Sequence, residues 1–240
     1  AVLSDINYEL TAIYKAVRDD VEGTIDRLQL LKTTHGEGQF YTVRDMFNDS
    51  GHNGKFPDPS SWNDRAAWLI YLNRTCFNGL WRFNRTGEFN SPYGKYVDPK
   101  IVDPILLRKA SAVLQKVASP RCATFEHLVD EAEPGDVIYM DPPYLPSTIA
   151  KSSAFVGYSG DFGPNDHARL AAVYRVLDER GCLLLLSNRD TERTRELYAG
   201  YDVAEIPAMR SIAADGGKRE TVNDLLIRNT SRWPTEVLPK

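Results

Sequence analysis

Four consecutive residues, Asp141-Pro142-Pro143-Tyr144, carry the clearest chemistry in this sequence. The two prolines fix the backbone and have no N–H, so their carbonyls act as acceptors held in defined directions. The turn therefore offers a carboxylate, rigid carbonyl acceptors and an aromatic ring within a short distance. Such a group suits the amino edge of a planar base. The alternative is a proline-stiffened turn between a strand and a loop, with no chemical role.

The amine of adenine is one substrate that these groups would serve. It is a poor nucleophile because its lone pair is delocalised into the ring, and two acceptors on its N–H groups favour a pyramidal nitrogen. Stacking of Tyr144 on the base would contribute about 1–3 kcal/mol. A base inside a duplex must first be flipped out, which costs about a few kcal/mol. If the methyl donor is S-adenosylmethionine, it brings its own leaving group, and positioning does most of the catalysis.

The segments around the tetrapeptide predict the elements that hold it. An apolar strand at 136–140 leads into Asp141, at the carboxyl end where open α/β sheets bind ligands. A helix at 165–180 ends at Gly181, and the apolar run 182–186 is typical of a strand in a parallel sheet. Segments 203–207 and 222–227 predict an antiparallel pair at the end of that sheet.

The first half of the chain has helical spacing of apolar residues. Helices are predicted near 10–17, 21–31, 40–47, 62–72 and 101–117. Residues 77–96 differ, since aromatic side chains alternate with arginine and asparagine there, and Arg85-Thr86-Gly87 predicts a hairpin tip.

Composition favours a globular protein of one large domain, or of a core domain with an insertion. The 240 residues are 42% hydrophobic and 26% charged, and no apolar run approaches the length of a membrane span. No signal peptide is visible, and three cysteines without metal-ligand spacing favour a reduced, cytosolic protein. The four histidines are scattered, which favours surface or helix-cap roles: His35, His52, His127 and His167.

The net charge of −4 is unevenly distributed. Residues 65–109 contain 8 Lys and Arg against 3 Asp and Glu, a local balance of +5. A basic segment inside an acidic protein indicates either a solvated face or a site for a polyanion.

These residues together resemble the Dam-type (D12 class) family of DNA adenine-N6 methyltransferases. The resemblance rests on 141–144 and on the segment 77–96, FNGLWRFNRTGEFNSPYGKY, whose Asn-Gly-Leu-X-Arg-X-Asn core is the more specific motif. It continues in order through 155–158, 162–163, 186–190, 210–212 and 225–229, and so covers nearly the whole chain.

The resemblance implies a Rossmann-like S-adenosylmethionine-dependent methyltransferase sheet with an inserted, mostly helical target-recognition domain that carries a β-hairpin. The catalytic domain would comprise residues 1–7 and 102–240, and the DNA-binding domain residues 8–101. The implied reaction moves a methyl group from S-adenosylmethionine to a flipped-out adenine in double-stranded DNA, with 5′-GATC-3′ as the expected target. It requires neither a metal nor a membrane, and the implied setting is the cytoplasm of a prokaryotic or phage-infected cell.

The resemblance also assigns the catalytic and cofactor residues. Asp141, Pro142 and Tyr144 would hold the target adenine, with Asp141 also contacting the methionine part of the cofactor. Asp5, at the end of a strand, would accept hydrogen bonds from the ribose hydroxyls, although it could simply cap the next helix. Phe125 would lie near the cofactor adenine, or be an ordinary core residue. Tyr158 and Phe162 are weaker candidates for contact with the flipped base.

The DNA-binding residues come from the basic segment. Arg82 would read guanine through a bidentate contact, flanked by Asn78, Leu80 and Asn84. Phe77 or Asn78 would wedge into the base stack, and Pro92 would touch a thymine methyl group. Phosphate contacts would come from Arg74, Arg85 and Lys95.

One departure from the family concerns the start of the chain. The family begins with an aromatic residue, a lysine and a strand ending in a Phe-X-Gly-X-Gly-type loop, whereas this sequence begins at the following strand, just before Asp5. The sheet is then expected to lack its first strand. Either that segment has been removed, or a second chain supplies it, or the protein binds DNA without transferring methyl groups. The other motifs favour the first two.

Two further hypotheses stay open from the residues themselves. Residues 65–109 could serve a DNA-binding module beside an inert catalytic remnant. The same chemistry could also act on RNA or on a protein amide, although the aromatic-Arg-Asn hairpin argues for duplex DNA.

Overall fold

The computed structural model describes residues 1–50, 62–84, 86–144, 162–208, 222–229 and 233, which combine helices with mixed sheets. The α/β class predicted from the sequence is therefore confirmed. The chain divides into two compact units, of which the first contains Ala1–Thr124 and the second begins at Phe125. Within the described stretches, no helix combines the length and apolar character that a membrane crossing requires.

The helices described in the first unit lie close to those predicted from apolar spacing. They are α1 (Tyr8–Asp19), α2 (Val21–Thr33), α3 (Glu37–Asp49), α4 (Trp62–Thr75) and α5 (Pro104–Leu114). Their apolar faces meet in a cluster that includes Leu28, Phe40, Phe47 and Tyr71, all fully buried. Because α4 packs against α1, α2 and α3, it is the central helix of this unit.

Side-chain caps explain where two of these helices begin. Asn7 Oδ1 accepts the N–H of Leu10 at the start of α1, at 3.1 Å. Asp103 Oδ1 accepts the N–H of Leu106 at 3.0 Å, and Pro104 occupies the first position of α5, where a missing N–H is tolerated. The cap and the proline place the start of α5 at 104, whereas apolar spacing alone predicted a helix from 101.

A short parallel pair also belongs to this unit. β1 (Ser4–Asp5) pairs with β2 (Arg121–Cys122), so that Asp5 lies opposite Cys122. Asp5 is the last residue of its strand, as the sequence predicted. Its backbone carbonyl accepts the N–H of Ala123 at 3.1 Å, which continues the pairing by one step.

The segment after α4 folds back on itself. Phe83 and Phe89 form an antiparallel bridge, and Cys76 and Tyr93 form another. The Phe83 ring meets the Phe89 ring edge-on at 6.1 Å between centroids, and Phe47 of α3 lies 6.3 Å from Phe83. The predicted hairpin is therefore present, and aromatic packing holds it against α3.

The second unit contains α6 (Leu128–Glu131), β3 (Val137–Met140), α7 (Pro164–Arg180), β4 (Leu183–Arg189), α8 (Glu192–Leu197), β5 (Asp202–Ala208) and β6 (Val222–Arg228). Its described strands form one sheet in the order β3-β4-β6-β5. β3 and β4 are parallel, whereas β6 runs antiparallel to both β4 and β5. The antiparallel pair predicted at the end of the sheet is confirmed.

The parallel pair is held in place by packing against α7. Leu184 and Leu186 of β4 are fully buried in the same cluster as Tyr174 and Leu177 of α7. Gly181 ends α7 with φ +99°, a left-handed conformation that glycine adopts without strain. β4 then runs parallel to β3, so the carboxyl ends of the two strands lie at the same edge of the sheet.

Candidate functional site

Asp141 directly follows β3, at the carboxyl end of the parallel pair. The register places Tyr139 opposite Leu185 and Met140 opposite Leu186, so Asp141 and Ser187 are the next residues along the two strands. The Asp141 residue is exposed. This edge of the sheet therefore presents a carboxylate and a hydroxyl side by side.

Ser187 is the centre of a polar network at this edge. Its Oγ lies 2.5 Å from Asp141 Oδ1 and 3.1 Å from the hydroxyl of Tyr139. The half-buried Tyr144 follows three residues after Asp141 in the same turn. Burial raises the pKa of Tyr144 above its usual value, so the phenol stays protonated at neutral pH.

The sequence prediction did not include Ser187 in the site. A signal for it was present, because Ser187 and Asn188 directly follow the apolar run that predicted a strand parallel to 136–140. Polar residues at the carboxyl end of a neighbouring strand are candidates for ligand contact. The missing information was the register, which decides which polar residue meets Asp141.

A buried histidine lies beside the prolines of the turn. Pro142 is half-buried and Pro143 is exposed, and the backbone of Pro143 interacts with the imidazole of His167 in α7. His167 is 0% exposed, so the surface or helix-cap role predicted for it is wrong. Its ring meets Phe162 edge-on at 4.7 Å, and its Nδ1 lies 3.5 Å from Asn188 Nδ2. No pattern in the sequence indicated this burial, because His167 is polar and lies near the start of its helix.

We expect acid to destabilise the protein partly through His167. Burial lowers the pKa of this imidazole below its usual 6.5, so the folded state keeps it neutral. Below about pH 6.5 the unfolded chain gains a proton that the folded chain does not, and the free energy of unfolding should fall by up to about 1.4 kcal/mol per pH unit for this group. Urea unfolding at about pH 7.5 and about pH 5.5 should show a larger loss for the unchanged protein than for His167→Gln, which does not titrate. Equal losses in the two proteins would contradict a buried neutral histidine.

The two other predicted cofactor residues lie in different units. Asp5 is half-buried, and its Oδ1 accepts the N–H of Asn7 at 2.6 Å. Because Asn7 itself caps α1, the alternative that Asp5 is the helix cap is wrong. Phe125 is half-buried, meets Phe162 edge-on at 6.0 Å and has the Arg169 guanidinium 5.5 Å from its ring centre.

Arg82 is held within the hairpin by its neighbour on the opposite arm. Its Nε donates to Asn90 Oδ1 at 2.9 Å, and the Asn90 N–H donates to the Arg82 carbonyl at 3.0 Å. The side chain is half-buried. The hydrogen bond at Nε orients the guanidinium.

Asn84 closes the turn of this hairpin. Its Oδ1 accepts the N–H groups of Thr86 at 3.0 Å and Glu88 at 2.9 Å, and its Nδ2 donates to Glu88 Oε2 at 2.7 Å. Gly87 adopts φ +85° beside it. The side chain thus has a structural task in addition to the DNA contact predicted for it.

The remaining predicted DNA-binding residues cluster around the turn that follows α4. The Phe77 N–H donates to the Pro92 carbonyl at 2.8 Å, and Asn78 has a left-handed φ of +54°. The half-buried Leu80 accepts a hydrogen bond from the Ser91 hydroxyl through its carbonyl. Exposed members of the predicted set are Phe77, Asn78, Pro92, Arg74 and Lys95.

Some predicted features lie outside the described residues. They are Arg85, His52 and all of the motif residues at 155–158, which include Tyr158, and at 210–212. Among the residues that are described, no group of three or more His, Cys, Asp or Glu side chains is arranged to hold a metal ion.

Comparison with known families decides the class of this protein. A family model described as D12 class N6 adenine-specific DNA methyltransferase matches residues 1–212. The chain belongs to this family. The methyltransferase is therefore an enzyme that modifies adenine in DNA, and the resemblance drawn from its motifs is confirmed.

Several characterised relatives align with almost the whole methyltransferase. The type II methyltransferase M.MjaIII of Methanocaldococcus jannaschii is 38% identical over 238 residues, covering 95% of this chain and 79% of the relative. The type II methyltransferase M1.LlaDCHI of Lactococcus lactis subsp. cremoris is 34% identical, with coverages of 95% and 79%. The DNA adenine methylase of Escherichia coli strain K12 is 33% identical, with coverages of 94% and 77%. None of these relatives supports the prediction of a second chain.

Proposed function

We propose that the methyltransferase moves a methyl group from S-adenosylmethionine to N6 of an adenine flipped out of double-stranded DNA, within 5′-GATC-3′. The observation that carries the proposal is the arrangement at the end of the parallel strands, where Ser187 donates a hydrogen bond to the exposed Asp141 carboxylate and the half-buried Tyr144 follows in the same turn. This arrangement combines a fixed acceptor with an aromatic ring, as the amino edge of a base requires.

In this proposal Asp141 and the Pro142 carbonyl accept the two N–H groups of the target amine, while Tyr144 stacks on the base. S-adenosylmethionine supplies an activated methyl group on a positively charged sulfur, which departs as a neutral thioether. The amine nitrogen gains the methyl group and gives up one proton, for which the Asp141 carboxylate is the acceptor within reach. Because the donor already carries its leaving group, the protein acts mainly by holding the amine in line.

The acidic and aromatic groups fit S-adenosylmethionine in chemical type. Its ribose hydroxyls need an acceptor, and Asp5 offers a carboxylate whose other oxygen is fixed by the Asn7 N–H. Its ammonium group needs an anion, for which the exposed Asp141 is suited. The half-buried Phe125 ring suits contact with an adenine.

We also propose the domain arrangement implied by the motifs. Residues 1–7 and 102–240 would form a Rossmann-like catalytic domain, and residues 8–101 an inserted target-recognition domain. The parallel β3 and β4, joined through α7, support the catalytic assignment. Helices α1 to α4 and the aromatic hairpin all fall within 8–101, which supports a mostly helical recognition domain. The boundary between the two compact units falls after Thr124, later in the chain than the proposed domain boundary after residue 101.

Recognition of DNA would use the hairpin and the turn beside it. Arg82 has its Nε bound to Asn90, so the bidentate contact with guanine O6 and N7 falls to its terminal nitrogens. The exposed Phe77 and Asn78 suit insertion beside the vacated base. Phosphate contacts are assigned to the exposed Arg74 and Lys95.

Arg82→Ala tests the recognition part of this proposal. The unchanged protein should transfer labelled methyl groups to a duplex with one GATC site far better than to one with AATC. The variant should lose about 1–3 kcal/mol of that preference, or about 5- to 150-fold in the ratio of kcat/KM values, because nothing then reads the guanine.

Arg74→Ala is the matched control, since a phosphate contact should weaken binding to both duplexes alike. An Arg82→Ala protein that prefers GATC as strongly as the unchanged protein does would overturn the assignment of Arg82. An unchanged protein that methylates adenine equally well in both duplexes would overturn GATC as the target.

A further inference from the structure

We infer that Ser187 is a positioning residue for methyl transfer, which fixes the Asp141 carboxylate so that one of its oxygens faces the target amine. The inference rests on the proposed function, because it presumes that Asp141 meets the amine. It adds a residue from β4 to a site otherwise assigned to the turn after β3.

The directions of the hydrogen bonds follow from counting hydrogens. The ionised carboxylate of Asp141 can only accept, so Ser187 donates its single hydroxyl hydrogen across the 2.5 Å to Oδ1. The Ser187 oxygen must then accept from Tyr139, whose hydroxyl lies 3.1 Å away. The chain of donors runs from Tyr139 through Ser187 to Asp141. It leaves Oδ2 as the carboxylate oxygen that can meet the amine.

The backbone around Ser187 is rigid enough to transmit this position. Leu186 and Asn188, on either side of it, are both 0% exposed, and β4 is paired with β3 and with β6. Asn188 Oδ1 also accepts the N–H of Arg189 at 2.8 Å. Ser187 itself is half-buried, so its side chain points toward the exposed Asp141 from a fixed strand.

A fixed carboxylate matters because Asp141 is exposed. Without a partner, its side chain can rotate, and only part of the population would place an oxygen against the amine. Misplacement of a group by about 1 Å can lower a rate by about 10²-fold.

Ser187→Thr and Ser187→Val form the decisive pair. Both are β-branched, suit a strand and have nearly the same shape, but only threonine keeps the hydroxyl. We expect Ser187→Thr to retain kcat within about threefold, and Ser187→Val to lose about 10- to 100-fold in kcat with KM for DNA changed by less than about threefold. DNA binding by fluorescence anisotropy should be the same in both. Ser119→Val, at an exposed serine in the first unit, is the control.

The outcomes separate this inference from the proposed function. Equal kcat values for Ser187→Thr and Ser187→Val would overturn the inference, while Asp141→Ala would still report on the proposed function. If Asp141→Ala keeps its activity, the proposed function itself fails. Should Ser187→Val not fold, Tyr139→Phe is tested in its place. Tyr139 is 60% exposed, and the change removes only the hydroxyl that donates to Ser187. An unchanged kcat in Tyr139→Phe would then count against the network.

Discussion

Replacing Asp141 with alanine should lower kcat for methyl transfer by about 10³-fold, because the variant loses the acceptor for the amine N–H and for the departing proton. The affinity for duplex DNA should change by less than about threefold, since the proposed recognition residues lie on the hairpin and the turn after α4. Initial rates with a labelled methyl donor, alongside anisotropy with the same duplex, measure both quantities.

Asp130→Ala is the matched control for this prediction. Asp130 is an exposed aspartate of the same unit, in α6, and its removal should leave kcat unchanged. A variant at Asp141 with kcat near that of the unchanged protein would show that the carboxylate does not act on the amine. A large loss of DNA affinity would instead place Asp141 in DNA binding.

Replacing Arg65 with alanine should lower the free energy of unfolding by about 3–5 kcal/mol, the largest stability effect that we expect. Arg65 of α4 is 2% exposed and forms a two-point ion pair with Glu9 of α1, through Nε to Oε2 at 2.7 Å and through Nη2 to Oε1. Its guanidinium also lies 4.3 Å from the centre of the Phe47 ring, and its Nη1 donates to the Phe47 carbonyl at 3.3 Å. Alanine would leave the Glu9 carboxylate buried without its partner.

An exposed ion pair of the same unit supplies the comparison. Arg108 and Glu22 form an equally close two-point contact, at 2.7 Å for each bond, but both side chains are more than half exposed. Arg108→Ala should therefore lower the free energy of unfolding far less than Arg65→Ala does, because solvent screens an exposed pair. Urea denaturation followed by tryptophan fluorescence reports mainly on this unit, which contains Trp62, Trp68 and Trp81, whereas Trp233 belongs to the second unit. Equal effects of the two variants would contradict the importance of burial.

A double change tests the reason for the effect of Arg65→Ala. Glu9→Leu combined with Arg65→Met removes both charges and leaves no buried ion without a partner. We expect it to recover most of the stability, since apolar replacements of buried ion pairs are often neutral or stabilising.

The sequence predicted most of the elements because local patterns determine them. Each of the helices α1 to α4 and α7 has one buried face, which sets the spacing of its apolar residues. The apolar run of β4 lies between Gly181 and the polar residues that follow it. The predicted ends of the helices and strands were less accurate. α5 begins at 104 rather than 101 because a cap and a proline decide the start, and apolar spacing does not contain that information.

Contacts between distant residues could not be predicted in the same way. Glu9 and Arg65 are 56 positions apart, and their pairing depends on how α1 crosses α4. The hydrogen bond from Ser187 to Asp141 depends on the register of β3 against β4, which no single strand encodes. His167 was assigned to the surface because it is polar, whereas the tertiary fold buries it behind Pro143.

The site residues show the same difference between what local sequence predicts and what only the structure reveals. Asp141, Pro142 and Tyr144 were chosen from a motif whose letters and position are both local. For Asp5 the sequence offered two explanations, and only the geometry of Asn7 removes one of them, the helix cap. Asn84 was assigned to DNA contact, yet its side chain closes the hairpin. An asparagine side chain in a turn readily accepts hydrogen bonds from nearby backbone N–H groups.

The most direct test of the central claim is the identity of the methylated atom and its dependence on Asp141. Duplex DNA containing GATC should be incubated with S-adenosylmethionine and either the unchanged protein or Asp141→Ala, digested to nucleosides, and analysed by mass spectrometry. We predict N6-methyldeoxyadenosine with the unchanged protein and almost none with the variant. Methyl groups on cytosine, or equal amounts of N6-methyldeoxyadenosine from both proteins, would contradict the account.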